Sequence, residues 1–315
     1  MNIDENIFVS IASFRDVKCI NTLKNIYYNS DNPDNIYCGI FTQIDNNNKK
    51  EQCYDSHFQY NSNVRRMLID YKNAKGPLWA RIRIIKNLYQ NEKYFLMIDS
   101  HTKLVKGWDT ELKKYIKFLK GNGINKPIIS TYPQHSVENE TYTSKISNES
   151  LLLCKINSGN NYPKVIQSIH KTPGYFYKSY LISCNFLFCE GSFLNDIDIS
   201  KLLNLSYIFS GEEYLFAVLA FVNGYDIYNS PNNIIYHEFK SSKDKIKDNT
   251  DWYKLANINH NNENESYKNL EKLLTTNLLD NVRKTKDLLN IVKGNNNNFQ
   301  NIDHLCNLNE KIKYI

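Results

Sequence analysis

The 315-residue sequence has no apolar run near the roughly 20 residues that a helix needs to cross a bilayer, so we expect no membrane-spanning segment. Residues 1–6 are polar and acidic and lack the pattern of a signal peptide. Together these absences lead us to expect a cytoplasmic location. The chain also has no internal repeat, which argues against a repetitive architecture.

Cysteine is present but without a recognisable spacing. The seven cysteines form an odd set, and no Cys-x-x-Cys pair occurs. The pattern predicts neither a disulfide framework nor a zinc ribbon, and reduced thiols are the default for a cytoplasmic protein. Cys38 and Cys184 lie in apolar runs, and we expect them to be buried as small hydrophobic residues.

The charge balance is only mildly basic. There are 39 Lys and Arg residues against 33 Asp and Glu, which gives a net charge of +6 spread along the chain. This balance is compatible with an anionic ligand but does not indicate binding to nucleic acid.

Short apolar runs alternate with segments of helical periodicity through the first 240 residues. This order is typical of an α/β fold with a parallel or mixed sheet. Strands are predicted at residues 7–12, 36–41, 64–71, 94–99, 127–133, 180–188, 225–228 and 234–237. Helices are predicted at residues 18–29, 79–88, 110–119 and 211–221, with amphipathic helices at 267–279 and 282–292. Residues 135–162 are expected to form an irregular surface excursion, and the polar, Asn-rich residues 246–315 a helical appendage to a domain of residues 1–245.

The apolar run that ends in Asp99-Ser100-His101 is the centre of the functional interpretation. Ligands of open α/β sheets bind beyond the carboxyl ends of the strands, and residues i and i+2 of an extended segment point to one side. A carboxylate and an imidazole placed in this way suit Mn²⁺ or a similar ion. On this tripeptide alone, the alternative that Asp99 caps the next segment and His101 is a loop histidine is favoured.

Two segments suggest binding of a phosphate or a nucleotide. Arg15 and Asp16 follow the first predicted strand, where they either contact a nucleotide or cap the next helix. Lys75 and Arg81 flank a predicted helix start, where they either face a diphosphate or belong to a solvated helix surface.

Three further residues extend the candidate site. Glu212 and Glu213 open a helix, either as functional acids or as charges that favour the helix dipole. His237 ends a strand-like run, where it is either a structural residue or a third metal ligand.

Taken in order, these motifs resemble a GT-A fold glycosyltransferase. The resemblance is strongest to the protein-hydroxyproline N-acetylglucosaminyltransferases, glycosyltransferase family sixty, and more distant to the polypeptide N-acetylgalactosaminyltransferases. It rests on residues 7–16, 39–43, 74–81, 95–101, 107–109, 211–213, 224–226 and 237. Leu104 replaces an expected aromatic residue and Lys106 an expected proline, and residues 135–171 match nothing in the pattern.

The resemblance implies a Rossmann-like mixed sheet flanked by helices, and retaining transfer of a sugar from a UDP-sugar donor. The implied sugar is N-acetylglucosamine, the implied acceptor is a hydroxyl of protein hydroxyproline or of a glycan, and the implied cofactor is Mn²⁺ or Mg²⁺. The implied catalytic residues are Glu212 and Glu213, and the implied metal ligands are Asp99, His101 and His237. Donor contacts are implied for Ser10, Ala12, Ser13, Arg15, Asp16, Gln43, Lys75, Gly76, Arg81, Asp99 and Ser100.

Two other functions stay open at this point. A metal-dependent phosphoesterase could use the same acids and histidines, although such enzymes usually have a denser cluster of ligands. A non-catalytic module that binds sugar nucleotides or glycans is the other alternative. The presence of all the implied metal ligands and of both glutamates argues against it.

Overall fold

The computed structural model describes residues 5–135, 147–239, 251–308 and 310–314. Its strands are β1 Ile7–Phe14, β2 Ile36–Ile44, β3 Val64–Asp70, β4 Tyr94–Asp99, β5 Thr102–Leu104, β6 Pro127–Ser130, β7 Gln134–His135, β8 Ser150–Ser158, β9 Val165–Lys171, β10 Tyr175–Ser179, β11 Phe186–Glu190, β12 Asp226–Tyr228, β13 Ile235–His237 and β14 Lys311–Lys313. Its α-helices, numbered within the described ranges, are α1 Cys19–Tyr28, α2 Pro77–Leu88, α3 Trp108–Gly121, α4 Ser192–Asp196, α5 Glu212–Val222, α6 Trp252–Leu255, α7 His260–Thr275 and α8 Thr285–Lys293.

A nine-stranded mixed sheet organises the chain, in the order β14-β10-β12-β6-β11-β4-β1-β2-β3. Strands β4, β1, β2 and β3 run parallel to one another, and β11 lies antiparallel between β4 and β6. Two small sheets accompany it, a three-stranded one of order β5-β13-β7 and the β8–β9 hairpin. The α/β architecture expected from the sequence is confirmed.

The central strands are continuously apolar because both faces of the sheet are covered. Alternate residues of β4 enter different cores: Phe95 and Met97 pack with residues of α2 and α5, while Leu96 and Ile98 pack with residues of α1 and α3. Apolar residues recur with helical periodicity in α1, α2 and α3, which gives each of these helices an apolar face towards the sheet. This two-sided burial fixes the position at which β4 ends and Asp99 begins the site.

Two predictions of local structure were wrong. Residues 180–188 do not form one strand, because Ser179 and Ser183 accept hydrogen bonds from the backbone N–H groups of Leu181 and Asn185 and turn the chain before β11. Within the predicted excursion, β8 forms from Ser150 onwards, because its residues pair with β9. Residues 136–146 of that excursion lie outside the described residues.

The prediction of reduced thiols was also wrong. Cys19 bonds to Cys53, with 5.2 Å between their Cα atoms, and Cys154 bonds to Cys306, with 4.9 Å between theirs. The paired cysteines lie 34 and 152 residues apart, so their spacing in the sequence gives no sign of the pairing. Cys38 and Cys184 are free and buried, as expected. The cytoplasmic location stays a prediction.

The C-terminal residues contact the preceding part of the chain at several places. Strand β14 pairs with β10 at the edge of the large sheet, and Leu270 and Leu274 of α7 are buried in the core that includes α5. The predicted domain boundary after residue 245 falls outside the described residues and stays a prediction. Within the described ranges, no helix is both long and apolar enough to cross a membrane.

Candidate active site

A cavity of about 390 Å³ opens at the carboxyl ends of β1 and β4. The register of the sheet brings Ala12 of β1 beside Asp99 of β4. The cavity is lined by Ala12, Phe14, Asp16, Pro77, Arg81, Asp99, Ser100, His101, Tyr132, Lys164, Val165, Ile166, Asn185, Phe209, Ser210, Glu212, Glu213, His237, Glu238, Phe239 and Trp252. The location agrees with the expectation that ligands bind beyond the strand ends.

Asp99, His101 and His237 meet in this cavity. One possible ligand atom from each residue lies within 4.8 Å of those of the other two. His237 reaches the site because β13 pairs with β5, which places it opposite Thr102. The Nε2 atom of His237 is 3.1 Å from Asp99 Oδ2, and the centroids of the His101 and His237 rings are 4.5 Å apart.

Asp16 fixes the orientation of His101. Asp16 Oδ2 lies 2.8 Å from His101 Nδ1 and accepts a hydrogen bond of 2.6 Å from the Ser100 hydroxyl. Burial opposes the charge on His101, but the neighbouring Asp16 carboxylate outweighs it and raises the pKa of the imidazole. Because Nδ1 is engaged by Asp16, Nε2 is the nitrogen of His101 that is left for a metal ion.

Arg81 lies beneath the site and connects two acids. It is 4% exposed, and its Nη1 atom donates to both oxygens of Glu212 at 2.8 Å. Its Nη2 atom donates to Asp99 Oδ1, also at 2.8 Å. Burial opposes ionisation of Asp99, but the hydrogen bond with His237 and the charge of Arg81 hold its pKa well below the usual value. His237 and Arg81 thus keep the half-buried Asp99 ionised.

The two glutamates at the start of α5 have different surroundings. Both carboxylate oxygens of Glu212 accept hydrogen bonds from Arg81. Glu213 lines the cavity and accepts a hydrogen bond of 3.3 Å from the N–H of Cys184. Burial raises the pKa of Glu212, and the charge of Arg81 partly offsets that shift. Burial also raises the pKa of Glu213 to about 8, and the charge of Glu212 adds to the shift.

The structure separates the predicted donor-binding residues into two groups. Ala12, Asp16, Arg81, Asp99 and Ser100 line the cavity. The residues that do not line it are Ser10, Ser13, Arg15, Gln43, Lys75 and Gly76.

Arg15 and Gln43 of the second group have structural contacts instead. Arg15 pairs with Asp45 at 3.4 Å and with Glu51 at 3.2 Å. Gln43 is buried and donates to the backbone oxygen of Ser13, and Lys75 is exposed.

The sequence motifs named none of the residues of one wall of the cavity, although residues 135–171 were expected to shape the acceptor site. Lys164, Val165 and Ile166 come from the β8–β9 hairpin, and Phe209 and Trp252 come from a loop and the short helix α6. These residues belong to no metal-binding or acid–base pattern in the sequence, so no motif marks them. Only the fold brings them to the strand ends.

A family model described as Glycosyltransferase (GlcNAc) matches residues 6–59 and 44–303, and these ranges include Asp99, His101, His237, Glu212 and Glu213. The chain belongs to this glycosyltransferase family. Family membership favours the glycosyltransferase interpretation over the phosphoesterase and the non-catalytic module. A comparison with curated proteins gives no match.

Two solved structures share the fold. S. aureus TarS 1–349 in complex with UDP-GlcNAc has a TM-score of 0.54 at 13% identity, covering 91% of this glycosyltransferase and 70% of TarS 1–349. GalNAc-T7 with UDP, GalNAc and Mn²⁺ has a TM-score of 0.54 at 13% identity, covering 77% of this chain and 45% of the GalNAc-T7 chain. Both likenesses agree with the GT-A fold that the sequence resemblance implied.

Proposed function

We propose that the enzyme transfers N-acetylglucosamine from a UDP-sugar to a hydroxyl acceptor, with retention of anomeric configuration and with Mn²⁺ or Mg²⁺ as cofactor. The observation that carries this proposal is the meeting of Asp99, His101 and His237 in the same cavity as Glu212 and Glu213. Such a site combines residues for a cation with residues for a reacting sugar.

The charges of the cavity support the need for a cation. Among its described lining residues, the acidic residues are Asp16, Asp99, Glu212, Glu213 and Glu238, whereas the Lys and Arg residues are Lys164 and Arg81, so the acids remain in excess even when Glu213 is protonated. Arg81 is already paired with two of the acids. A diphosphate would meet net repulsion there unless a divalent ion came with it.

The donor atoms fit such an ion. One carboxylate oxygen and two imidazole nitrogens suit Mn²⁺, and Asp16 holds His101 as an outer carboxylate commonly holds a metal-bound histidine. When bound, the ion would stabilise the negative charge that develops on the diphosphate leaving group.

The glutamates divide the remaining work. Both oxygens of Glu212 are bonded to Arg81, so Glu212 positions Arg81 beneath Asp99. The Glu213 carboxylate lies in the cavity, where it would favour the oxocarbenium-like character of the sugar at the transition state. We infer a front-face reaction in which an oxygen of the leaving UDP takes the acceptor proton. Trapping of a covalent glycosyl adduct on Glu213 or Glu212 would overturn this mechanism.

The choice of donor follows from the family and the neighbours. The family description names GlcNAc, and the TarS structure contains UDP-GlcNAc. GalNAc-T7 was solved with UDP, GalNAc and Mn²⁺, so N-acetylgalactosamine is the sugar to test beside N-acetylglucosamine. For the acceptor, the sequence resemblance points to protein hydroxyproline, with a glycan hydroxyl as the other possibility.

A donor screen tests the proposal. The protein is incubated with a panel of UDP- and GDP-sugars, with Mn²⁺ or with EDTA, and release of the nucleotide is measured. We expect UDP release from UDP-GlcNAc only with Mn²⁺, and its loss in Asp99→Ala and His237→Ala. Release that persists in EDTA would refute the metal requirement, and absence of turnover with every donor would refute the proposed function.

A further inference from the structure

The β8–β9 hairpin lies beside the cavity and forms part of its wall. Lys164, Val165 and Ile166, at the start of β9, line the cavity. Val165 is 43% exposed, and Phe209, which lines the same cavity, is 56% exposed. These two apolar side chains therefore lie where the cavity opens to solvent.

The outer edge of β9 is open. Within residues 5–135, 147–239, 251–308 and 310–314, β9 pairs only with β8. The opposite edge of β8 is covered, because Ile156 and Ile302 exchange two backbone hydrogen bonds of 2.9 Å and Cys154 is bonded to Cys306. The exposed edge of β9 thus offers backbone N–H and C=O groups to an added strand.

The hairpin is held at a fixed position relative to the reacting groups. Tyr162 is 3% exposed and packs against Gly211, so closely that a Cβ atom on Gly211 would lie 2.7 Å from Tyr162 Cε2. Gly211 directly precedes Glu212 and Glu213, and its φ of 94° is one that glycine adopts readily. A chain bound along β9 would therefore enter the cavity at a defined distance from Glu213.

The charge of the hairpin differs from that of the cavity. Residues 150–171 contain Lys155, Lys164, His170 and Lys171 and no Asp or Glu. The cavity beside them has an excess of carboxylates. An acceptor with acidic residues would be attracted to the hairpin while its neutral hydroxyl enters the cavity.

From these observations we propose that the acceptor is an extended polypeptide with acidic residues, which binds as an added strand along β9 and presents its hydroxyl-bearing residue beside Val165 and Phe209. Strand addition supplies affinity through main-chain hydrogen bonds, and the neighbouring side chains select the residue that enters. The inference rests on the proposed transferase function and specifies its acceptor. A glycan lacks the regular amide groups that the strand edge would pair with.

Peptides test the inference directly. Ten-residue peptides with one central serine, threonine or hydroxyproline are prepared with acidic, neutral or basic flanks, and transfer from UDP-GlcNAc with Mn²⁺ is followed by mass spectrometry. We expect the acidic series to show a KM at least about fivefold below that of the basic series. Methylation of single backbone nitrogens should raise KM about fivefold at alternate positions, since each removes one strand hydrogen bond.

Charge reversal on the enzyme gives the complementary test. Lys164→Glu should raise KM for the acidic peptides and lower it for the basic ones, whereas Lys286→Glu, an exposed residue of α8, should change neither. Metal-dependent hydrolysis of UDP-GlcNAc is measured in parallel. If hydrolysis occurs but only glycan acceptors are modified, or if flank charge and methylation have no effect, the inference is wrong and the proposed function stands. If no donor is hydrolysed or transferred, the proposed function fails first.

Discussion

At the scale of single residues, the surroundings of Glu213 disfavour its ionised form. Burial and the adjacent Glu212 carboxylate both disfavour its ionised form, while the N–H of Cys184 is the one hydrogen-bond donor that it has among the described residues. Such perturbed acids are concentrated at reacting centres. Its protonation should therefore control both turnover and stability.

Turnover should depend on pH through Glu213. Its pKa is raised to about 8, so the carboxylate form that favours the oxocarbenium-like sugar predominates only above that pH. We expect kcat/KM to rise with pH and level off above pH 8, and Glu213→Gln to lose about 100-fold or more in rate together with this rise. A flat profile in the wild type, or an unchanged rise in the variant, would rule out this role.

The same substitution should stabilise the protein at high pH. A carboxyl group with a raised pKa binds its proton more tightly in the folded chain, so its contribution to stability falls as the pH rises from about 4.5 towards 8. Glu213→Gln cannot ionise, and its Tm should exceed that of the wild type more at pH 9 than at pH 5. Equal differences at the two pH values would show that Glu213 does not titrate in this range.

The ligand residues and their support should contribute unequally to metal binding. His237→Ala removes a proposed ligand, whereas Asp16→Asn only loosens the hold on His101 and should weaken Mn²⁺ binding by about 10–100-fold. Titration calorimetry with Mn²⁺ measures both, with the exposed His57→Ala as control. The prediction fails if His237→Ala binds Mn²⁺ as tightly as the control does.

Arg81 should be essential to stability because it neutralises the buried Glu212 and the half-buried Asp99. Arg81→Met leaves the carboxylates of Asp99 and Glu212 without their shared cation, which should cost about 3–5 kcal/mol in the free energy of unfolding. Arg83→Met, two residues further along α2, removes only a cation–π contact with Trp79 and should cost about 1 kcal/mol.

Denaturant unfolding measures both changes, and adding Glu212→Gln to Arg81→Met should recover part of the loss. Equal losses for the two arginine variants would contradict the proposed role of Arg81.

At the scale of the elements, the disulfide between Cys154 and Cys306 ties β8 to the C-terminal residues. Replacing both cysteines by serine should lower stability by about 2–5 kcal/mol, because the bond restricts a loop of 152 residues in the unfolded chain. Calorimetry with and without reductant measures the change. As a check on the bonding, the unfolded but unreduced protein should show three reactive thiols, those of Cys38, Cys184 and Cys189.

The elements that the sequence predicts well are those with a strong local signal. Strands β1, β2 and β4 are continuous apolar runs because both faces are buried, and α5 is apolar with a glycine before it. Strand β8 lay within the segment interpreted as irregular, and β9 lay beyond it with no predicted structure, since both strands are stabilised by pairing with each other and β8 also by a contact with Ile302. Contacts between segments that are distant in the chain produce no periodic pattern in the sequence, so such a pattern cannot predict them.

At the scale of the whole molecule, the candidate site was only partly predictable. Asp99 and His101 follow from the end of one buried strand, but the position of His237 depends on the pairing of β13 with β5. Arg81 bridges Asp99, which follows it by 18 positions, and Glu212, which follows it by 131 positions. No rule of sequence spacing predicts these two contacts. The sequence therefore indicated the chemistry, whereas the fold determines which partner each side chain has.

The uneven distribution of charge should couple nucleotide and metal binding. The chain carries +6 overall, yet acidic residues outnumber Lys and Arg residues among the described residues that line the cavity, so UDP alone should bind weakly there. We expect Mn²⁺ to lower the Kd for UDP by about 10-fold or more, and UDP to lower the Kd for Mn²⁺ by the same factor. Calorimetry in both orders of addition checks this reciprocity, and UDP binding that is equally tight in EDTA would contradict it.

The bond between Cys154 and Cys306 also has a practical consequence. Every cavity residue from Lys164 to Trp252 lies between these two cysteines in the chain. A protease that cuts once anywhere in that interval would leave two fragments joined through sulfur, which migrate together on a non-reducing gel. Only a reduced sample would reveal that the peptide backbone around the active site had been cut.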